Sequence, residues 1–338
     1  MAANNPLQGW QVDRTTIRTI GHDLQRPECI LAEQNGSLWT ADARGGVVHI
    51  RPDGTQELIA QRAQTSFAAS SDEAARLVSG TLANGLAFAR NGDILIANFG
   101  TDRLEVMSRN GETRTLIDTI DGGPIGKVNF VLRDRKDRLW LTVSTRIKDW
   151  MRAMSPSIAD GFVAVYDGKS LRVVADGFGF TNEIRFDARE EWLYVVETCG
   201  RRITRLRALE DGTLVDRETF GPENHQAFID GIAFDSHGNL WGTHIMTDRV
   251  FAISPEGDLN IILDDDGNSG AGRSLMAAFD RNEASPELML ACGGTIAPWF
   301  TSVTFGGPDL KTVYVGTLRG TRIPYFRSPV AGLPMVHW

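Results

Sequence analysis

The sequence predicts an all-β fold, a six-bladed β-propeller with four-stranded antiparallel blades whose ring is closed by an N-terminal strand. Three observations support this prediction. A short pattern of polar, apolar and turn residues recurs six times along the 338 residues. The recurrences lie 45 to 71 residues apart, near the ~40 to 50 residues of a propeller blade. One further β-like run, residues 15–20, precedes the first recurrence and belongs to no unit of its own.

Each recurrence starts with a polar residue and continues with an apolar residue two places later, a turn, and an apolar or aromatic pair. The six polar residues, called the key positions below, are Glu28, Asn84, Asn129, Asn182, Asp230 and Thr301. In four units the turn and the pair fall at identical offsets: Asn35-Gly36 with Leu38-Trp39, Asn91-Gly92 with Ile94-Leu95, Lys136-Asp137 with Leu139-Trp140, and His237-Gly238 with Leu240-Trp241. The pairs after Asn182 and Thr301 come one and two residues later, as longer hairpin turns would give. Short β-rich segments separated by turn residues are typical of hairpins.

A third and a fourth β-like segment follow most of these hairpins. They lie within residues 46–60, 103–117, 161–174, 202–219 and 249–263. The sixth unit has a third segment near residues 321–326 and no fourth. We expect residues 15–20 to supply that outer strand, because a ring closed by both ends of the chain leaves no open sheet edge. The whole chain, residues 1–338, is predicted to be one domain.

Three long stretches interrupt the repeats, at residues 61–81, 145–160 and 264–298. By their place in the units, all three belong to loops on one face of the propeller, and long loops in a compact domain are usually functional or disordered. Their apolar side chains predict a roof over a pocket, although the same side chains would also serve to pack the loops onto the propeller. The predicted pocket residues are Asn84, Phe67, Trp150, Met154, His244 and Trp299.

Composition excludes several classes of partner. The net charge of -8 and the pI near 5.3 provide no basic surface for nucleic acid. The first residues lack a basic leader with an apolar segment, and no run reaches the ~18 apolar residues of a membrane span. The sequence therefore predicts a cytoplasmic protein that binds neither nucleic acid nor membrane. Three distant cysteines, Cys29, Cys199 and Cys292, fit a reducing compartment.

The key positions place two carboxylates, Glu28 and Asp230, and three carboxamides, Asn84, Asn129 and Asn182, around the propeller axis. Two carboxylates in a narrow tunnel repel each other and lose hydration, so they require a cation, a raised pKa or many hydrogen-bond donors. Carboxylate and carboxamide oxygens suit a hard divalent cation. We therefore predict that four of these positions hold one divalent ion. Ca²⁺ is favoured, with Mg²⁺, Mn²⁺, Zn²⁺ and Fe²⁺ as alternatives.

Four segments around the key positions resemble the SMP-30/gluconolactonase/LRE-like family of six-bladed propeller lactonases. They are residues 26–31, 127–129, 180–184 and 228–233. The resemblance implies that Glu28, Asn182 and Asp230 ligate a divalent metal and that Asn129 contacts the ion, its water or the substrate. The four predicted metal positions are therefore Glu28, Asn129, Asn182 and Asp230, and Asn129 is also a predicted catalytic residue. It also implies a small-molecule lactone or ester as substrate, opened by a metal-activated water, with Asp230 as metal ligand and general base. Lys127, where many family members carry Arg, is predicted to orient a polar substrate group.

The chain also departs from the family pattern. Many sugar lactonases continue the Asn129 segment with Asp-Gly, whereas this chain has Phe130-Val131. This change favours a less polar lactone or ester, or another reaction at the same metal: isomerisation, elimination, or hydrolysis of an aryl ester or phosphotriester. A non-enzymatic binding propeller braced by calcium remains a third alternative. His244 is a candidate to assist proton transfer.

Overall fold

The computed structural model describes residues 5–62, 82–266 and 270–338. Its strands form six four-stranded sheets in which all neighbouring strands are antiparallel. The first strands of successive sheets contact one another, and the last contacts the first. The six sheets are therefore the blades of a closed six-bladed β-propeller, as the sequence predicts.

The innermost strands of blades one to six surround the central channel: β2 (Ile30–Ala32), β6 (Ala83–Phe88), β12 (Val128–Arg133), β16 (Thr181–Phe186), β20 (Phe228–Phe234) and β24 (Phe300–Gly306). The second strands are β3 (Leu38–Asp42), β7 (Ile94–Asn98), β13 (Leu139–Val143), β17 (Trp192–Glu197), β21 (Leu240–Ile245) and β25 (Thr312–Thr317). The third strands are β4 (Gly46–Ile50), β8 (Arg103–Met107), β14 (Gly161–Tyr166), β18 (Arg202–Ala208), β22 (Arg249–Ile253) and β26 (Ile323–Arg327).

The outer strands complete the blades: β5 (Gln56–Ala60), β9 (Thr113–Ile117), β15 (Leu171–Phe178), β19 (Leu214–Phe220), β23 (Leu259–Asp264) and, for the sixth blade, β1 (Arg18–Ile20). Strand β1 pairs antiparallel with β26, Thr19 lying opposite Pro324. The predicted closure of the ring by an N-terminal strand is confirmed. It joins the two ends of the chain in one blade and leaves that blade without a missing outer strand.

Among the described residues, few elements lie outside the blades. A 3₁₀ turn, Arg14–Thr16, precedes β1. A two-residue pair, β10 (Thr119–Ile120) and β11 (Gly123–Pro124), precedes the third blade. Helices α1 (Gly270–Asp280) and α2 (Pro286–Leu290) and a 3₁₀ turn, Trp150–Ala153, pack with buried residues at the starts of inner strands on one face of the propeller. Within the described ranges, no helix is both long and apolar enough to cross a lipid bilayer.

The recurring tryptophans explain why the repeat pattern holds the blades together. In three blades the indole Nε1 donates a hydrogen bond to an acidic residue six places earlier, across the first hairpin: Trp39 to Glu33, Trp140 to Asp134 and Trp241 to Asp235. The same rings pack edge-on against a phenylalanine of the next blade's inner strand: Trp39 on Phe88, Trp140 on Phe186 and Trp241 on Phe305. One residue type thus fixes both the hairpin and the contact between blades.

Replacing Asp235 with Asn is expected to destabilise the protein. The buried Asp235 carboxylate accepts hydrogen bonds from the backbone of His237, from the backbone and side chain of Asn239, and from Trp241. In Asp235→Asn, the side-chain amide places its own N–H donors against these four donors, so some of them lose their acceptor. Each unsatisfied buried donor costs about 1–3 kcal/mol. The melting temperature, followed by circular dichroism, should therefore fall clearly. In Glu33→Gln the fall should be smaller, because the Glu33 side chain is 20% exposed; equal melting of Asp235→Asn and wild type would contradict this role.

Candidate metal and active site

A β-bulge recurs at the start of the inner strands and directs the key side chains toward the channel. The pairing of inner and second strands skips residues between Ala83 and Leu86, Val128 and Phe130, Thr181 and Ile184, Ile229 and Ile232, and Phe300 and Val303. The skipped residues include five of the six key positions: Asn84, Asn129, Asn182, Asp230 and Thr301. A bulge leaves residues unpaired in the ladder and re-aims their side chains. The sixth key position, Glu28, lies two residues before β2.

The structure brings five key positions together around one cavity at this end of the channel. What we call the polar end of the cavity consists of Arg26, Glu28, Asn84, Asn129, Asn182, Thr198 and Asp230. The five key residues there are 3–6% exposed. Thr301 does not line the cavity; its hydroxyl donates to the backbone carbonyl of Glu28 at 2.9 Å, as the Ser302 hydroxyl does at 2.6 Å. These two bonds fix the main chain that carries the Glu28 carboxylate.

Among the described residues, the rest of the cavity surface, called the apolar wall, consists of aromatic, aliphatic and methionine side chains. It includes Phe99, Trp150, Met154, Phe180, Met289 and Trp299. The predicted pocket residues Trp150, Met154, Trp299 and Asn84 all lie on this cavity. Phe67 lies outside the described residues.

Arg26 is a cavity residue that the sequence reasoning did not single out. Its guanidinium lies 2.9 Å from Glu28 Oε2 and donates to Asn84 Oδ1 at 2.8 Å. The Arg26 backbone has a φ of 58°, in the left-handed region that non-glycine residues seldom adopt. The position of this residue two places before Glu28 was visible in the sequence. That its side chain turns back onto Glu28 follows from the backbone conformation.

Two buried carboxylates of the polar end, Glu28 and Asp230, lie near a third, Glu183, and burial raises the pKa of each. The pKa of Glu28 is raised to about 7 by burial, opposed by Arg26 and reinforced by Glu183. The pKa of Asp230 is raised well above its usual range by burial and by the charges of Glu28 and Glu183. Glu183, which is ion-paired with Arg185 at 3.1 Å, has a pKa raised to about 7 by burial. Burial and mutual repulsion therefore destabilise the ionised state of this group unless a cation joins it.

The unpaired oxygen atoms of the polar end fit a divalent cation. Asn129 Oδ1 and Asn182 Oδ1 are buried without a hydrogen-bond partner, and Glu28 Oε2 meets Arg26 outside hydrogen-bond geometry. Asn182 Nδ2 donates to the Thr198 hydroxyl at 3.1 Å, which leaves the amide oxygen as the free atom. Buried acceptors normally have a partner. Two carboxylates with two carboxamide oxygens form the all-oxygen donor set that Ca²⁺ and Mg²⁺ prefer. In the described part of the chain, no three His, Cys, Asp or Glu side chains come together as a metal-binding group, so a cation at the polar end would need the amide oxygens among its ligands.

Two predicted residues lie away from the cavity. The Lys127 ammonium is ion-paired with Asp102 at 2.8 Å and lies 5.6 Å from the centre of the Phe99 ring, so it is held behind the apolar wall.

His244 also lies off the cavity surface. Its Nε2 lies 2.9 Å from His225 Nδ1, and its ring stacks on Phe251. The pKa of His244 is lowered by burial, then by His225 and Arg249. Its expected place in the pocket is thus corrected.

Phe130, the departure from the family pattern, also lies outside the cavity. Its ring is buried in the core between blades, and the Arg185 guanidinium lies 4.5 Å from the ring centre. Asn129 and Phe130 are neighbours in the sequence, yet the bulge sends only Asn129 into the cavity. The apolar character of the cavity comes from the loops and strand ends and not from this substitution.

Comparison with known proteins agrees with the fold. Residues 27–264 match the SMP-30/Gluconolactonase/LRE-like region. The chain is 32% identical over 168 residues to an adipocyte plasma membrane-associated protein of Danio rerio, a segment that covers 46% of this chain and 40% of that protein. It is 27% identical over 226 residues to a pentonolactonase of Haloferax volcanii, which covers 61% of this chain and 64% of that protein. The matched segments thus span less than two thirds of either relative.

Among solved structures, a gluconolactonase of Xanthomonas campestris superposes with a TM-score of 0.67 at 19% identity, covering 93% of this chain and 89% of that one. This similarity shows a shared fold. The family match extends over most of the chain and includes the segments that carry Glu28, Asn129, Asn182 and Asp230. The chain therefore belongs to the SMP-30/gluconolactonase/LRE-like family.

Proposed function

We propose that the protein opens lactones by hydrolysis, with one divalent cation held by Glu28, Asn129, Asn182 and Asp230. The observation that carries the proposal is the pair of buried amide oxygens without hydrogen-bond partners, Asn129 Oδ1 and Asn182 Oδ1, beside the Glu28 and Asp230 carboxylates at the polar end of the cavity. The names of two similar proteins, a pentonolactonase and a gluconolactonase, support lactone hydrolysis as the reaction. Ca²⁺ is the favoured ion, because a mixed shell of carboxylate and carboxamide oxygens completed by water suits its flexible coordination.

A divalent cation bound there supplies Lewis-acid polarisation of the lactone carbonyl. The remaining work belongs to side chains of this chain. The Asp230 carboxylate accepts a proton from the attacking water while the water oxygen bonds to the carbonyl carbon. The bond between that carbon and the ring oxygen then breaks, and the proton passes from Asp230 to the released alkoxide. Water is consumed, and the product is a hydroxy acid.

The electrostatic surroundings of Asp230 suit this role. Without a cation, burial and the neighbouring carboxylates raise the pKa of Asp230. A bound cation would lower this pKa and so keep the carboxylate ionised and able to accept a proton. Arg26 and the Thr301 and Ser302 hydroxyls hold Glu28 in place. Asn129 presents its free amide oxygen beside these groups. Lys127 is ion-paired with Asp102 and contacts Phe99 of the apolar wall.

Metal removal tests the proposal. The purified protein is expected to contain about one divalent ion per chain by elemental analysis. Chelation should lower kcat/KM for a lactone substrate by at least about 10²-fold, since Lewis-acid stabilisation of the developing charge is worth several kcal/mol. Restoring Ca²⁺, Mg²⁺, Mn²⁺, Zn²⁺ or Fe²⁺ one at a time should recover activity and rank the ions. Product identification by mass spectrometry should show a gain of one water. Full activity of the metal-free protein would refute the metal-assisted reaction, and an isomeric product would refute hydrolysis.

A further inference from the structure

The apolar wall restricts what the cavity can accept. Every wall side chain in the described part of the chain is aromatic, aliphatic or methionine, and none offers an oxygen or nitrogen acceptor. Four methionines contribute, namely Met151, Met154, Met246 and Met289. Methionine is flexible and polarisable, so such a surface adapts to apolar ligands of varied shape.

Side-chain donors are also scarce, because most of those in the cavity are used within the protein. Arg26 donates to Asn84 and to the Ala83 carbonyl, and Asn84 donates to the Asn129 carbonyl. The Asn182 amide donates to Thr198, whose hydroxyl donates to the Ile229 carbonyl. On the described wall the Trp299 indole N–H donates to the Cys292 carbonyl, which leaves Trp150 Nε1 as its one side-chain donor without a partner.

The scarcity of free hydrogen-bonding side chains on the described apolar wall disfavours a polyhydroxylated substrate. A sugar lactone carries several hydroxyl groups, and among the described residues the side chains of the wall offer them one N–H donor and no oxygen or nitrogen acceptor. Each hydroxyl that is buried without a partner weakens binding by about tenfold or more. An alkyl or aryl substituent, by contrast, gains from every apolar contact that replaces water.

We propose that the substrate is a lactone that carries an apolar substituent in place of the hydroxyl array of a sugar. This inference rests on the proposed function and names its substrate class. The ester group lies at the polar end beside Glu28, Asn129, Asn182 and Asp230, and the substituent lies against the apolar wall. Two segments of the chain that are insertions in the repeat, residues 145–160 and 264–298, supply Trp150, Met154 and Met289 to this wall.

A matched pair of six-membered lactones tests the proposal with the full-length, metal-loaded protein. The pair is glucono-1,5-lactone and a 1,5-lactone with an unbranched alkyl substituent, δ-decalactone. We expect kcat/KM to be at least about 100-fold higher for the alkyl lactone, since both the unpaired hydroxyls and the lost apolar contacts act against the sugar. A preference for the sugar lactone would overturn the substrate class and leave the proposed hydrolysis intact.

A methionine pair provides the matched variants. Met289 lies on the apolar wall, whereas Met276 is buried in the same hydrophobic cluster without lining the cavity. Met289→Gln should lower the ratio of alkyl-lactone to sugar-lactone kcat/KM by about tenfold. Met276→Gln should leave that ratio unchanged even where it lowers the melting temperature. An unchanged ratio in Met289→Gln, or an equal change in both variants, would contradict the placement of the substituent.

Binding separates failure of this inference from failure of the proposed function. The lactam that matches the alkyl lactone resists hydrolysis, and its binding should quench the fluorescence of Trp150 and Trp299. If the lactam binds and no lactone is opened, hydrolysis is refuted while the ligand class stands. If the lactam does not bind, the substrate class is refuted.

Discussion

Replacing Asp230 with Asn is expected to lower kcat/KM for lactone opening by about 10³-fold or more while the protein stays folded. Loss of a general base alone costs about 10²- to 10⁴-fold, and the change also removes one of the two carboxylates available to the cation. Asn has the shape of Asp, and the hydrogen bond from the nearby Ile232 N–H to Glu183 Oε2 at 3.2 Å does not involve the changed side chain. Initial rates with the alkyl lactone, together with circular dichroism, measure both effects.

Without bound metal, Asp230→Asn should be at least as stable as the wild-type protein. Asp230 is buried beside Glu28 and Glu183, and both of these carboxylates raise its pKa. A neutral amide at this position removes repulsion that the metal-free protein cannot relieve. The melting temperature of chelator-treated Asp230→Asn should thus equal or exceed that of chelator-treated wild type. Its matched control is Asp235→Asn at the other end of β20, which should melt lower and retain kcat/KM per folded molecule. Loss of activity in both variants, or in neither, would contradict a distinct role for Asp230.

The fold could be predicted because the sequence repeat reflects contacts between residues that are close together in the chain. A turn followed by Leu240-Trp241 at a fixed offset from Asp230 encodes one hairpin, and the same offset at Glu28, Asn84 and Asn129 encodes three more. The indole hydrogen bond to the acid six places earlier is a local contact, so it leaves a pattern in the sequence. Closure by residues 15–20 followed from the missing outer strand of the sixth unit, and β1 confirms it.

The site was predictable only in part, because side-chain partners are not local. The key positions share one place in the repeat, and the bulge that aims them at the channel lies at that place too. Arg26 was missed, since its role depends on a left-handed backbone and on Asn84 from the next blade. Lys127 was expected at the pocket from the family resemblance, and His244 from its place after the second strand of its unit. Asp102 and His225, which hold them elsewhere, are 25 and 19 residues away in the chain.

Adding Ca²⁺ to chelator-treated protein is expected to raise the melting temperature, and more at about pH 8.5 than at about pH 6.5. In the folded protein the pKa values of Glu28 and Glu183 are about 7, and the pKa of Asp230 is also raised. These pKa values lie above the ~4 of carboxyl groups in an unfolded chain. Between those values the folded protein holds more protons than the unfolded chain. The metal-free protein therefore loses stability as the pH rises through 7.

A cation binds the ionised carboxylates, so protons compete with it at the lower pH. A ligand at 100 times its Kd adds about 2.7 kcal/mol to the free energy of unfolding, which raises the melting temperature by several degrees. His225, with a pKa lowered to about 4 by burial, and His244 oppose the carboxylates as the pH falls below ~6.5. Because the histidines act with and without the ion, they cancel in the increment that Ca²⁺ produces. Thermal unfolding at both pH values, with and without Ca²⁺, measures that increment. Glu28→Gln should reduce it to near zero, whereas an increment that is independent of pH or survives in Glu28→Gln would place the ion elsewhere.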